Sequence, residues 1–180
     1  MLDIDDEIEA LLNDIAASIV ERAKRNIMVT RKRQGARGSY TSATNTTGKL
    51  RDSLRYRVIN KGGVPEMRFY TKGGTQNYAD VVEWGRRAGA KAPPSESLIQ
   101  WIKDKNIKPR DANGKFIKVN NEETWRKGLA FVIGRKISKS GYKGIHYWRD
   151  AIDTELEIRG KDIANAIEKY VIIKINQGWL

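Results

Sequence analysis

The chain has 180 residues, with 34 Lys or Arg against 22 Asp or Glu, so its formal net charge is +12. It has no cysteine and one histidine, which excludes disulfide frameworks, thiol nucleophiles and metal sites built from several Cys or His ligands. Hydrophobic residues make up 39% of the sequence, enough for a folded core in a chain of this length. We expect a single domain over residues 1–180, with no cofactor, no bound metal and no membrane span.

The first predicted element is an amphipathic helix that starts near Ile4 and ends near Ile27. Apolar residues recur along it at three- and four-residue spacing, which is typical of a helix with one buried face. Six acidic residues and no basic one lie within residues 1–20, and basic residues follow at the end of the helix. This order suits the helix dipole and differs from the basic start of a secretory signal peptide.

Residues 30–47 interrupt the apolar periodicity. The segment contains small, polar and basic side chains with one aromatic residue and no large aliphatic residue, which predicts a long mobile loop. Its cations suit contact with the phosphates of a nucleic acid, and they are Arg31, Lys32, Arg33 and Arg37. A loop that is only solvated is the alternative interpretation.

The remainder of the chain predicts a hairpin and four further helices. Alternating residues on both sides of Lys61-Gly62-Gly63 indicate two antiparallel strands. Helical spacing then predicts a short helix near residues 78–84, two middle helices that begin near residues 95 and 120, and a last helix over about residues 147–170. We expect the large aromatic residues of these helices to pack inside the fold rather than to stack on bases: Tyr78, Trp84, Trp101, Trp125 and Trp148.

The sequence contains no motif that predicts catalysis. His146 lies between a glycine turn and a helix start, and no Ser or Cys nucleophile motif, P-loop or GxGxxG motif accompanies it. The best case for an enzyme is a metal-dependent nuclease that uses Glu66, Asp80 and Glu83, but nothing in their spacing brings the three carboxylates together. We therefore expect a protein that is not an enzyme and has no catalytic residues.

Three blocks of sequence, in this order, resemble the tail-completion or neck proteins of tailed bacteriophages, also called head–tail joining or minor tail proteins. They are residues 47–54 (TGKLRDSL), residues 78–85 (YADVVEWG), and residues 131–137 (FVIGRKI) with the glycine and the Tyr-Trp helix start that follow. The matching positions are Gly48, Leu50, Ser53, Tyr78, Ala79, Glu83, Trp84, Gly85, Gly141, Trp148 and Ala151. The sequence departs from the family in its Tyr147-Trp148 pair, where a Phe pair or Pro-Phe is commoner, and in the length of the 30–47 loop.

This resemblance implies a fold and a role. The implied fold is α+β, a small curved antiparallel sheet packed by an N-terminal helix, two middle helices and a long C-terminal helix. The implied role is a structural virion protein that forms a ring between head and tail, a hexamer rather than a dodecamer. Its partners would be neighbouring neck, tail-tube or connector proteins, and double-stranded DNA that passes through the lumen without sequence recognition. Such a protein assembles in the host cytoplasm and resides in the virion.

A free basic nucleic-acid-binding protein or nuclease accessory is the alternative function. A dedicated binder would place its cations along one helix or beside exposed aromatic residues. This chain instead concentrates cations in the segments 30–37, 86–91 and 103–118, which the sequence predicts as irregular or extended. Their placement favours the ring.

Two groups of residues are candidates for contacts between subunits. Glu83 can pair with Arg86 and Arg87, either within one subunit or across a ring interface. Residues 170–180 are apolar on more than one side, which suggests contact with a neighbour or a return onto the N-terminal helix of the same chain. The candidate interface residues in this segment are Ile172, Ile173 and Trp179.

Overall fold

The computed structural model describes residues 4–35, 38–43, 47–61 and 64–176. In chain order its elements are α1 (Ile4–Met28), β1 (Thr30–Gly35), β2 (Gly38–Ala43), α2 (Lys49–Ser53), β3 (Leu54–Lys61), β4 (Val64–Thr71), α3 (Gln76–Trp84), β5 (Gly85–Arg86), α4 (Ser95–Asp104), α5 (Glu122–Ser140), β6 (Tyr142–Lys143) and α6 (Tyr147–Asn176). This mixture of helices and antiparallel strands confirms the predicted α+β fold, including its long C-terminal helix. That last helix extends beyond its predicted end near residue 170.

The chain divides into two compact units. The first unit consists of Met1–Ala79 and His146–Leu180, and the second of Asp80–Ile145. The helix α3 contributes residues to both units. That a single domain contains the two units stays a prediction.

The core of the first unit lies between α1 and α6. Ile15, Ile19 and Ile27 of α1 are buried almost completely, which confirms the apolar stripe predicted for this helix. Tyr147 and Ala151 of α6 are also fully buried, and the two helices pack against each other. Burial of each large aliphatic side chain contributes roughly 1.5–3 kcal/mol relative to its exposure, so this helix pair supplies much of the stability of the unit.

A partly buried ion pair joins the same two helices. Glu155 of α6 is buried, and its Oε1 atom lies 2.7 Å from Nη2 and 2.8 Å from Nε of Arg22 on α1. A carboxylate that is removed from water needs such a partner to remain charged without a large loss of stability. The pair therefore fixes the position of α6 along α1.

The strands β3 and β4 form the predicted antiparallel hairpin. Their register runs from Leu54 opposite Thr71 to Lys61 opposite Val64. Leu54 is almost fully buried, and α1 packs against β3. Among the described residues, the predicted sheet consists of three separate two-stranded ladders, formed by β1 with β2, β3 with β4, and β5 with β6.

A further hairpin lies where the sequence predicts a mobile loop. The strand β1 pairs with β2 in antiparallel register, from Thr30 opposite Ala43 to Gly35 opposite Gly38. The structure corrects the loop prediction for these two strands. That prediction relied on the absence of apolar alternation, whereas a ladder is closed by backbone hydrogen bonds that polar residues also permit.

The core of the second unit lies between α4 and α5. Leu98 and Ile102 of α4 form a buried cluster with Ala130 of α5, and Trp125 packs against this cluster as predicted. Gly134 allows the two helices to approach closely, because a Cβ atom there would lie 3.3 Å from Cδ1 of Leu98. The third motif block thus has a packing role at this helix pair.

Two aromatic residues of α3 are exposed, whereas the sequence predicts that they pack inside the fold. Tyr78 and Trp84 are exposed, although the sequence predicts that they anchor this helix. Among the described side chains of α3, Ala79 and Glu83 are buried. These two are four positions apart and therefore share one face of the helix, which leaves the aromatic residues on other faces.

The predictions for the tryptophans of α4 and α6 have different outcomes. Trp101 is exposed, because the buried face of α4 is set by Leu98 and Ile102, one helical turn apart. Trp148 is half-buried, and its ring centroid lies 5.2 Å from that of Phe69 in β4. The predicted packing role is confirmed for Trp148 and wrong for Trp101.

Candidate interaction surfaces

The first motif block builds the junction between α2 and β3. Leu50 and Ser53 are buried, and Gly48 precedes the helix with a φ of 78°. The hydroxyl of Ser53 donates to the carbonyl of Leu50 at 2.7 Å and lies 2.9 Å from Oγ1 of Thr75. The amide of Lys72 donates to the carbonyl of Ser53 at 3.0 Å. These hydrogen bonds give the block a structural role within the first unit.

Two motif glycines from different blocks meet in the second unit. A Cβ atom on Gly85 would lie 2.2 Å from the carbonyl oxygen of Tyr142, and one on Gly141 would lie 2.3 Å from the carbonyl oxygen of Arg86. Both glycines have positive φ values, 82° and 60°, which only glycine adopts without strain. The structure therefore explains why both positions hold glycine.

Sequence reasoning does not select Gly144, which completes this arrangement. A Cβ atom on Gly144 would lie 1.9 Å from the carbonyl oxygen of Glu83, and the amide of Ile145 donates to the carbonyl of Val82 at 2.9 Å. In the sequence this glycine resembles an ordinary turn signal, and only the pairing of β5 with β6 shows its role. We call Gly85, Gly141 and Gly144 the glycine junction.

The predicted DNA-facing residues lie in and beside β1. The guanidinium of Arg31 donates through Nη1 to the carbonyls of Asn26 at 2.9 Å and Val29 at 3.2 Å, so it also ties β1 to the end of α1. Lys32 is exposed. The side chain of Arg33 and the whole of Arg37 lie outside the described residues.

Most of the net positive charge lies in the second unit. Residues 80–145 contain 15 Lys or Arg and 7 Asp or Glu, a net charge of +8, whereas the first unit contains 19 and 15, a net charge of +4. The segments 86–91 and 103–118 and the helix α5 carry most of this excess. Any contact with a polyanion would therefore draw more on this unit than on the 30–37 segment.

The candidate interface residues near β5 have distinct environments. Glu83 is buried, with 4% of its surface exposed. Arg86 donates through Nη2 to the carbonyl of Lys91 at 2.5 Å, which closes the basic segment 86–91 into a loop. Arg87 is exposed. A pairing of Glu83 with these arginines across a ring interface stays a prediction.

The candidate interface residues of α6 line a shallow groove of about 310 Å³. Ile172 is exposed and Ile173 is half-buried, and both contribute to the groove beside Glu168 and Lys169. Lys169 also forms an ion pair with Glu7 of α1. Trp179 lies outside the described residues.

Glu66, one of the carboxylates of the nuclease hypothesis, forms an ion pair, and His146 lies directly before α6. Both carboxylate oxygens of Glu66 accept hydrogen bonds from Arg68, at 2.9 and 3.1 Å, and this hydrogen bonding lowers the pKa of Glu66. His146 has a φ of 51°, and its carbonyl accepts from the amide of Asp150 at the start of α6. In the described ranges, no three His, Cys, Asp or Glu residues group together in a way that could hold a metal ion. The absence of enzymatic activity stays a prediction.

Within residues 4–35, 38–43, 47–61 and 64–176, no helix combines the length and the apolar character that crossing a bilayer requires.

One comparison with known proteins finds a match. Residues 2–85 match the family described as “Bacteriophage HK97-gp10, putative tail-component”. The matched region contains α1, the hairpins β1–β2 and β3–β4, α2 and α3, and hence the first two motif blocks. No curated protein and no solved structure matches the chain. The predicted resemblance to phage tail proteins is confirmed, and over residues 2–85 the chain is similar to the HK97-gp10-like tail components of bacteriophages.

Proposed function

We propose that the protein is a non-enzymatic structural component of a bacteriophage neck or tail, and that its copies form a ring that completes the tail or joins it to the head. The match of residues 2–85 to phage tail components carries this proposal. It supports a structural role in the tail and a location in the virion. Exposed apolar side chains on α5 and α6 support contacts with other proteins.

The ring would contain six rather than twelve copies and would contact neighbouring neck, tail-tube or connector proteins after assembly in the host cytoplasm. Its lumen would pass double-stranded DNA. The net charge of +12 supports this part of the proposal, because phosphates are held by Lys and Arg without recognition of the bases.

Complementation of a phage that lacks the gene for this chain tests the proposal. Without the protein, we expect separate heads and tails, or tails of abnormal length, and a large loss of infectious particles. Wild-type chain supplied in trans should restore joined particles and should itself be found in them. Normal, infectious virions without the chain would contradict the proposal.

A free nucleic-acid-binding protein is the second candidate, because the net charge of +8 on residues 80–145 is also compatible with a dedicated binder. Size-exclusion chromatography with light scattering separates the two candidates when it is run with and without an oligonucleotide at two salt concentrations. A dedicated binder would form a stable complex with the oligonucleotide and would leave particle assembly unchanged when deleted. A ring component would associate weakly and lose the oligonucleotide at the higher salt concentration.

A further inference from the structure

The outer face of α5 is apolar and open. Phe131 and Val132 are 66% and 60% exposed, and Gly128 lies one turn before them on the same side. Arg135 and Lys139 are exposed one and two turns after them. Among the described residues, a Cβ atom on Gly128 would meet nothing within 4 Å, so packing against them does not require a glycine, which weakens a helix, at this position. We call these five residues the α5 face.

The outer face of α6 has the same character. Ile167 and Val171 are 55% and 47% exposed, and Leu156 is exposed as well. Gly160 and Ala164 lie between them at helical spacing and are also exposed, and a Cβ atom on Gly160 would meet nothing within 4 Å. These five residues form the α6 face, which lies opposite the side of the helix that packs on α1.

The charges beside the two faces are complementary. Arg135 and Lys139 lie toward the C-terminal end of the α5 face. Exposed Asp153 and Glu157 lie at the N-terminal end of the α6 face. Asp153 has a neighbour on its own helix, Arg149, at 3.7 Å, and both side chains are exposed, so this pair contributes little. In an antiparallel arrangement, Arg135 would face Glu157 and Lys139 would face Asp153.

The same antiparallel register matches large residues with small ones. When Arg135 lies opposite Glu157, the exposed Val132 and its neighbour Phe131 lie opposite Gly160, one turn along. Gly128 then lies opposite Ala164, where two small residues allow the helix backbones to approach closely. Helices pack by placing side chains of one into gaps of the other. Here Val132 and Phe131 supply the side chains, and Gly160 and Ala164 supply the gaps.

We propose that the α5 face of one copy docks, antiparallel, on the α6 face of the next copy. The occupant of each face is a second copy of this chain, because one antiparallel register pairs opposite charges and places Val132 and Gly128 against Gly160 and Ala164, and because both faces are exposed in one copy. The contact joins two different surfaces, so it repeats from copy to copy and builds a ring when the rotation between copies closes on itself. This inference rests on the proposed function and names the contact that builds the ring.

Cross-linking between copies tests the contact directly, because the chain has no native cysteine. Arg135→Cys and Glu157→Cys chains are supplied together to a phage that lacks the gene, and the particles are treated with a bis-maleimide of about 10 Å reach, the usual spacing of packed helices. We expect a dimer-sized product from the mixture and none from either variant alone. Ser97→Cys, on the exposed part of α4, replaces Arg135→Cys as the matched control and should give no product with Glu157→Cys.

A charge exchange supplies the second test. Arg135→Glu should reduce the number of joined particles at least tenfold, and Glu157→Arg in the same chain should restore most of them. Lys103→Glu makes the same change of net charge on α4 and should have no effect. Circular dichroism of each purified variant should show an unchanged melting temperature, because all of these side chains are exposed.

The outcomes separate this contact from the proposed function. Joined particles that contain the chain, show no 135–157 product and tolerate Arg135→Glu would overturn the contact and leave the ring proposal standing. A product that links either cysteine to a different virion protein would also overturn it, since the face would then serve another partner. A chain that is absent from particles would overturn the proposed function itself.

Discussion

Replacement of Gly141 by alanine should destabilise the protein strongly, because two separate costs coincide at this residue. Its φ of 60° and ψ of −168° place an alanine in a backbone region that is essentially limited to glycine, at a cost of about 1–3 kcal/mol. The new Cβ atom would also lie 2.3 Å from the carbonyl oxygen of Arg86. That atom belongs to the backbone and cannot rotate away, so overpacking adds roughly 1–3 kcal/mol. We expect a total loss of about 3 kcal/mol.

Urea unfolding followed by circular dichroism measures this loss. Gly89→Ala is the matched control within the second unit, since Gly89 has a φ of 80° with nothing within 4 Å of its Cβ position. It should lose about 1 kcal/mol, the cost of the backbone conformation alone. Similar losses for the Gly141 and Gly89 variants would refute the close approach at the glycine junction.

Three further predictions concern charged side chains. Arg22→Met should cost about 2 kcal/mol in unfolding free energy, because it leaves the buried carboxylate of Glu155 unpaired, and adding Glu155→Leu should recover most of that loss. Replacement of Lys32 by serine should leave the melting temperature unchanged and lower the slope of log affinity for DNA against log salt by at most about one. Arg68→Ala should raise the lowered pKa of Glu66 toward its ordinary value in an NMR titration. The stability that this pair contributes is present above the ordinary pKa of Glu66 and is lost as pH falls through the lowered one.

The sequence predicts the elements whose apolar spacing decides their burial. The α1 stripe is a clear example, since Ile15, Ile19 and Ile27 recur at helical spacing and are all buried. The β3–β4 hairpin is another, because alternation on both sides of a glycine turn has few other structural solutions. In both cases the local pattern and the tertiary packing favour the same structure.

The sequence does not predict features that depend on tertiary pairing. Gly85 and Gly141 are distant in the chain. Only the β5–β6 ladder shows that each lacks a Cβ atom where the backbone of the facing segment approaches closely. Trp84 and Trp101 are exposed because the buried faces of their helices are filled by other residues. Aromatic character alone therefore overestimates burial at these two positions.

The proposed ring is tested most directly by a cryo-electron microscopy reconstruction of the neck and tail of the phage that encodes this chain. We expect six copies in a closed ring around the DNA channel, at the end of the tail or at its junction with the head. A virion in which the neck and tail density contains no copy of the chain, or contains it only as isolated monomers away from the channel, would contradict the account.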